Sequence, residues 1–247
     1  MPGKRNAYVA RLEAGEDPEA IALAESGLPG PRGNLELVGA LGDQAPADAL
    51  IRWASLGPDA VSGNEPRTVL AVAGLDGLGR LLGEGRADVL PLLRSRADDP
   101  RWRVREGVAM ALQRWADRDP DAAFTAAETW ATEGPYAQRA AVAAVCEPRL
   151  LRAARFAARA VRLVDEVTAS LAARTARRSD DVVALRKALG YGWSVAVVGA
   201  PEAGRPAFER WLGDTDPDIR WIVRENLRKD RLRRLDPGWV EACLARV

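Results

Sequence analysis

Apolar residues recur at three- and four-residue spacing along nearly the whole chain, and no segment sustains the apolar–polar alternation of a half-buried strand. The spacing predicts helices over residues 6–14, 18–26, 34–42, 46–56, 65–83, 87–97, 100–117, 120–133, 135–146, 148–158, 159–174, 180–198, 202–213, 217–230 and 237–246. Asp17-Pro18, Asp99-Pro100, Asp119-Pro120, Asp216-Pro217 and Asp236-Pro237 each set a capping carboxylate before a proline suited to the first helical position. Gly57-Pro58 and Glu147-Pro148 read as joints. These signals together predict an all-α fold without sheet.

One phrase occurs twice. Asp99-Pro100-Arg101-Trp102-Arg103-Val104-Arg105-Glu106 and Asp218-Ile219-Arg220-Trp221-Ile222-Val223-Arg224-Glu225 both fit D-x-R-W-x-V-R-E. Their separation is close to three units of about 40 residues, the length of a two-helix solenoid repeat. Fainter echoes support it. Arg105 to Ala111 aligns with Arg139 to Val145, and Thr68 to Leu82 has the same small and aliphatic pattern. A single repeat of this kind cannot bury its apolar face, so stacking is obligatory.

Asp99-Pro100, Val104-Arg105-Glu106 and Ala109-Met110-Ala111-Leu112 resemble the first helix of a HEAT repeat. The resemblance implies an α-solenoid (an α–α superhelix) of about five to six HEAT-like repeats over residues 65–247. Residues 1–64 are expected to form an N-terminal helical cap, joined through the Gly- and Pro-rich stretch at 27–34 and continuous with the repeats as one domain, 1–247. A narrower likeness runs from Ile222 to Lys229 and on through Asp236-Pro237-Gly238-Trp239-Val240. This stretch is similar to the end of the HEAT-like bacterial alkylpurine DNA glycosylases, whose members hold DNA in a concave groove lined with Arg, Lys and Trp. That family's Trp- and Asp-rich catalytic helix has no counterpart here, so no catalytic residue is carried over.

Composition narrows the chemistry. A hydrophobic content of 47% is enough for a continuous core, and a net charge of +1 predicts no strong non-specific pull toward nucleic acid or membrane. The charge is uneven, however. Residues 1–148 hold 16 Lys and Arg against 22 Asp and Glu, whereas residues 149–234 hold 19 against 11. Such asymmetry can mark an anionic partner on the second half. The absence of histidine removes His-dependent triads, His metal sites and His acid–base catalysis. Two distant cysteines, Cys146 and Cys243, make neither a zinc site nor a disulfide framework. No metal, no cofactor, no membrane span and a cytoplasmic location are the resulting expectations; Met1 to Asp17 lack the apolar run of a signal peptide.

The candidate binding residues follow from the repeated phrase. With Pro100 as the first helical residue, Arg101, Trp102 and Arg105 share one face, opposite Val104, Val108, Ala111, Leu112 and Trp115. Arg220, Trp221 and Arg224 do the same against Ile219, Ile222, Val223 and Leu227. Arg105 and Arg224 also suit the internal Arg–Asp ladder that HEAT repeats imply, whereas nothing in the repeat demands Arg101 or Arg220. Arg149, Arg152, Arg155, Arg159 and Arg162 recur at helical spacing as one basic stripe, suited to phosphate or to a solvated face. In Gly190-Tyr191-Gly192-Trp193-Ser194, two glycines inside a helix imply close approach, of a neighbouring helix or of a ligand. The groove candidates are thus Arg101, Trp102, Arg105, Arg152, Arg155, Tyr191, Trp193, Arg220, Trp221 and Arg224. The expected function is a scaffold or interaction module holding an extended partner, protein or nucleic acid, in an Arg- and Trp-lined groove. The alternative is a relative of the glycosylases that acts on or senses damaged DNA, with a carboxylate as its catalytic group.

Overall fold

The computed structural model describes residues 3–247. Among them are fifteen α-helices, two short 3-10 turns and no strand, so the all-α expectation holds. No helix among the described residues is long and apolar enough to cross a membrane. The chain forms two compact units, one ending at Asp119 and the other beginning at Pro120.

The first unit comprises α1 (Lys4–Glu13), α2 (Pro18–Glu25), α3 (Leu35–Gln44), α4 (Ala47–Ala54), α5 (Thr68–Gly83), a 3-10 turn (Ala87–Val89), α6 (Leu90–Arg96) and α7 (Trp102–Ala116). Alternate helices stack: α1 on α3, α3 on α5, α5 on α7. The helices between them brace the stack, α4 against α5 and α6 against α7. Helix α5 is apolar almost all round, and 14 of its 16 residues are buried, which makes it the core of the unit. Its glycines allow this. A Cβ on Gly74 would fall on the backbone of Ala54 and Leu50, and one on Gly79 would fall on the backbone of Ala111. Because α3 and α4 pack on α5, the segment before residue 65 shares the core of the segment after it.

The second unit comprises α8 (Pro120–Trp130), α9 (Pro135–Val145), a 3-10 turn (Leu150–Arg152), α10 (Ala154–Ala172), α11 (Asp180–Gly199), α12 (Pro201–Glu209), α13 (Pro217–Leu227), α14 (Asp230–Leu235) and α15 (Pro237–Leu244). Alternate helices stack again, α9 on α11, α11 on α13 and α13 on α15, while α10, α12 and α14 surround α11. Aromatic rings fill the seams. Phe124 meets Phe156 at 4.8 Å, and Phe208 lies between Trp193 (5.5 Å) and Trp239 (6.0 Å).

The Asp-Pro caps form at Asp17, Asp216 and Asp236, whose carboxylates accept backbone N–H groups of Glu19, of Asp218 and Ile219, and of Trp239. Asp99-Pro100 departs from the expectation. Helix α7 begins at Trp102, with Arg101 extended before it, and Asp99 Oδ1 accepts the Arg101 N–H instead. Two further boundaries differ. The segments read as 148–158 and 159–174 are one helix, α10, because the apolar stripe from Phe156 to Leu171 runs without a break and the chain turns earlier, at an extended Ala153. Conversely, 217–230 ends at Leu227; an extended Lys229 separates it from α14, which turns inward to bury Leu232.

A chain of charges ties the first unit together. Arg114 on α7 bonds both Asp43 on α3 and Asp76 on α5, and Arg5 on α1 bonds Asp43 at 2.7 Å. Asp76 is 7% exposed, and burial raises its carboxyl above the ordinary carboxylate value even with Arg114 beside it. Replacing Arg114 by Met leaves that carboxylate buried without its cation, at a cost of roughly 3–5 kcal/mol at neutral pH. A raised carboxyl pKa favours the protonated form in the fold, so its penalty is present at high pH and absent in acid. The expected deficit of R114M in urea unfolding is therefore largest at pH 7 and narrows as the pH falls through the raised Asp76 titration.

Candidate functional site

The two copies of the repeated phrase adopt different structures. In the first, the phrase straddles the helix start. Arg101 is 6% exposed and grips Asp99 through Nε (2.8 Å) and Nη2 (2.6 Å), while Nη1 and Nη2 donate to the carbonyls of Val61 (2.9 Å) and Leu56 (2.6 Å). This side chain pins the 56–61 loop to α7, which corrects its reading as a groove residue. Arg105 turns back to the carbonyls of Asp99 (2.6 Å) and Pro100 (2.9 Å). Trp102 is left 53% exposed, its ring stacked under the guanidinium of Arg103 at 4.3 Å.

In the second copy the whole phrase is helical, because Asp216-Pro217 caps α13 two residues upstream of it. Arg220 and Arg224 are exposed, and Arg224 Nη2 donates to the carbonyl of Val247 at 3.3 Å. Trp221 packs against Gly190, where a Cβ would collide with its ring. Arg186 covers the Trp221 ring at 4.3 Å and bonds Asp218 at 2.7 Å. The apolar stripes fall where the pattern puts them: Val104, Val108, Ala111, Leu112 and Trp115 are buried, as are Ile219, Ile222, Val223 and Leu227.

The glycines around Tyr191 accommodate neighbouring helices. Gly190 receives Trp221 from α13, and Gly192 receives Val142 and Cys146 from the α9 side. Trp193 is only 1% exposed and donates its Nε1–H to Thr168 Oγ1 at 2.9 Å. It is a core residue, a second correction to the groove set, and the cause is its place on the inner face of α11. Asn226 clamps the same stretch, donating to the Leu189 carbonyl and accepting the Ser194 N–H. This buried amide is a structural element that apolar patterning does not reveal.

Tyr191 points outward, 41% exposed, and its ring is capped by Arg231 at 4.4 Å. Beside it opens a cleft of about 440 Å³, lined by Pro148, Leu151, Arg152, Val195, Val198, Gly199, Arg231 and Arg234. Its floor is the outward stripe of α11, where Val198 is 38% exposed. Its rim carries three arginines, Arg152 from the 3-10 turn and Arg231 and Arg234 from α14. None of the three forms an ion pair among the described residues; Arg234 Nε reaches only the Asp230 carbonyl, at 3.5 Å. Arg231 and Arg234 escape the sequence reading because they fall between the helices expected over 217–230 and 237–246, where α14 forms instead. Their signal is the basic run from Arg228 to Arg234.

The other arginines of the expected basic stripe do not join this cleft. The turn at Ala153 breaks the stripe, and Arg155 and Arg159 pair with α8, Arg155 with Asp121 (3.0 Å) and Arg159 with Glu128 (2.8 Å). Among the described residues no group of three or more His, Cys, Asp or Glu could hold a metal ion. Burial pushes the Cys146 thiol up to about 12 and that of Cys243 up to about 11, so both stay protonated and poorly nucleophilic near neutral pH.

Compared with known proteins, the chain matches no family model, and no curated protein or solved structure is significantly similar to it. The geometry itself therefore carries the functional argument. It makes a sharp prediction for the repeated phrase. Arg101→Met removes the two short bonds to the buried Asp99 carboxylate, leaves it only the longer ion pair with Arg96 at 3.8 Å, frees the 56–61 loop, and is expected to cost about 3 kcal/mol. Arg220→Met, at the same place in the phrase, should stay within about 0.5 kcal/mol of the parent. Equilibrium urea unfolding of the two variants checks this.

Proposed function

We propose that this protein is a binding module of HEAT-like stacked helix pairs, and that the cleft of its second unit holds an extended anionic partner, a nucleic-acid strand being the best chemical match. The repeat reading is supported by the α1–α3–α5–α7 and α9–α11–α13–α15 stacks, since equivalent helices of successive two-helix repeats pack in this alternating way. The partner is argued from one observation above all: Arg152, Arg231 and Arg234 surround an open cleft with no carboxylate among its lining residues. Arginines left without internal partners offer planar, charge-assisted bonds to phosphate oxygens. Tyr191, already flattened under Arg231, adds an aromatic surface of the kind on which bases stack. The apolar floor of Val195 and Val198 suits sugar and base edges better than bulk water. The likeness of the C-terminal stretch to HEAT-like DNA glycosylases favours the same class of partner. The cleft supplies cations and apolar surface, so the proposal is for binding.

Binding to single-stranded and duplex oligonucleotides, titrated against salt, tests this reading. Three phosphate contacts predict a slope of log affinity on log salt of about −2 for a single strand and about −3 for a duplex. Arg152→Ala and Arg234→Ala should each weaken binding and flatten the slope by about one contact. Tyr191→Ala should weaken single-strand binding without changing the slope. Binding that is indifferent to salt, or unaltered in R152A and R234A, would overturn the proposal.

A further inference from the structure

The first unit contains a different kind of cavity. A groove of about 350 Å³ lies between the loop before α3, the Val69–Val72 side of α5 and the start of α7. Its volume is at the lower end of the roughly 300–1,000 Å³ typical of small-molecule pockets. The walls are mostly apolar, with Val38, Val69, Val72 and Met110 lining them; the charged residues of the lining are Arg32, Arg103 and Glu106. At the rim stand two of the most exposed large apolar side chains of the described chain, Leu35 (63%) and Trp102 (53%). Contiguous apolar surface that a fold leaves open is a mark of a binding site.

One lining residue is out of keeping with the rest. Arg103 is 9% exposed, yet no carboxylate among the described residues forms an ion pair with it. Nη2 donates to the Gly30 carbonyl (2.6 Å) and to Asn64 Oδ1 (3.2 Å), and Trp102 covers the guanidinium at 4.3 Å. Its Nε is buried and has no hydrogen-bond partner. A buried cation lacking both a counter-charge and one of its bonds is costly to keep. At the second copy of the repeated phrase Arg186 also lies 4.3 Å over the Trp of the phrase and also has a buried, unpartnered Nε, but there the Asp218 carboxylate accepts from Nη1 at 2.7 Å. In the first copy the corresponding Asp99 is engaged by Arg101, because the helix starts later. Arg103 is thus left with an indole and no anion.

We propose that this groove binds a compact amphipathic carboxylate, such as a medium-chain fatty acid. The acyl body lies along Val38, Val69, Val72 and Met110, and the carboxylate takes the place at Arg103 that Asp218 holds at Arg186. Arg32, also in the lining, adds a second positive charge, so the two arginines outweigh the single carboxylate of Glu106. As at Arg186, the carboxylate accepts from Nη1, and the indole of Trp102, which covers the same guanidinium at 4.3 Å, is the reporter. This proposal concerns a separate unit from the basic cleft and stands apart from the reading of that cleft.

The test uses decanoate, kept below its micelle concentration, against decanol as the uncharged control. Calorimetry is expected to show saturable binding of one decanoate per chain, with decanol at least tenfold weaker. The accompanying change in tryptophan emission should vanish in Trp102→Phe. Arg103→Met should abolish the preference for decanoate over decanol. Because that variant also loosens the 30 and 64 loops, Met110→Glu provides an independent check. It leaves the Arg103 bonds in place, adds a second carboxylate to the groove beside Glu106, and should weaken decanoate at least tenfold at an unchanged melting temperature. Equal affinity for decanoate and decanol, absence of saturable binding, or full decanoate affinity in M110E would each overturn the proposal. So would a groove indifferent to decanoate but covered by a second copy of the chain at high protein concentration.

Discussion

The architecture rests on one constraint: in each unit a central helix, α5 or α11, must let its neighbours come closer than a Cβ would allow. That approach is possible only where a side chain is missing. Gly79 lets α5 meet α7, Gly74 lets it meet α4, and Gly190 and Gly192 let α11 receive Trp221 and Val142. These glycines are unfavourable for an isolated helix by about 1 kcal/mol each relative to Ala. They are tolerated because the contacts they open bury α5 and α11, on which the other helices are assembled. The same proximity brings α3, α5 and α7 close enough for Arg114 to reach two carboxylates on different helices.

Arginine serves two opposed purposes in this molecule. Arg101, Arg114, Arg177 and Arg186 are consumed by internal carboxylates; Arg177, for instance, reaches Asp216 at 2.7 Å. Such side chains are part of the scaffold, and their abundance says nothing of a partner. Arg152, Arg231 and Arg234 around the cleft and Arg103 in the groove lack carboxylate partners. The distinction that matters is compensation, since an uncompensated guanidinium beside apolar surface is where binding an anion gains most.

The repeated D-x-R-W-x-V-R-E shows how little a local motif decides. A proline at its second position in one copy, and an Asp-Pro cap two residues upstream of the other, shift the helix start. Arg101 consequently faces inward as a loop pin while Arg220 faces solvent. Trp102 is left open at a groove, while Trp221 fills a seam against Gly190. Identical residue types acquire opposite roles because a few residues' difference in helix onset turns each side chain to another face.

Much was legible in the residue order alone. Three- and four-residue periodicity and Asp-Pro punctuation determined an all-helical chain, most helix positions and the buried stripes of α7 and α13, because these depend on local backbone preference and on which positions are apolar. The paired glycines of α11 correctly implied close approach. Tertiary structure alone decided which arginines are compensated: the Asp218 carboxylate reaches Arg186, whereas Arg103 meets the Gly30 carbonyl and the Asn64 amide oxygen. It also decided that Trp193 is core, that Ala153 turns the chain and breaks the basic stripe, and that α14 presents Arg231 and Arg234 to Tyr191 and Arg152. Charge compensation is set by distances between segments far apart in the chain, and no periodicity encodes those distances.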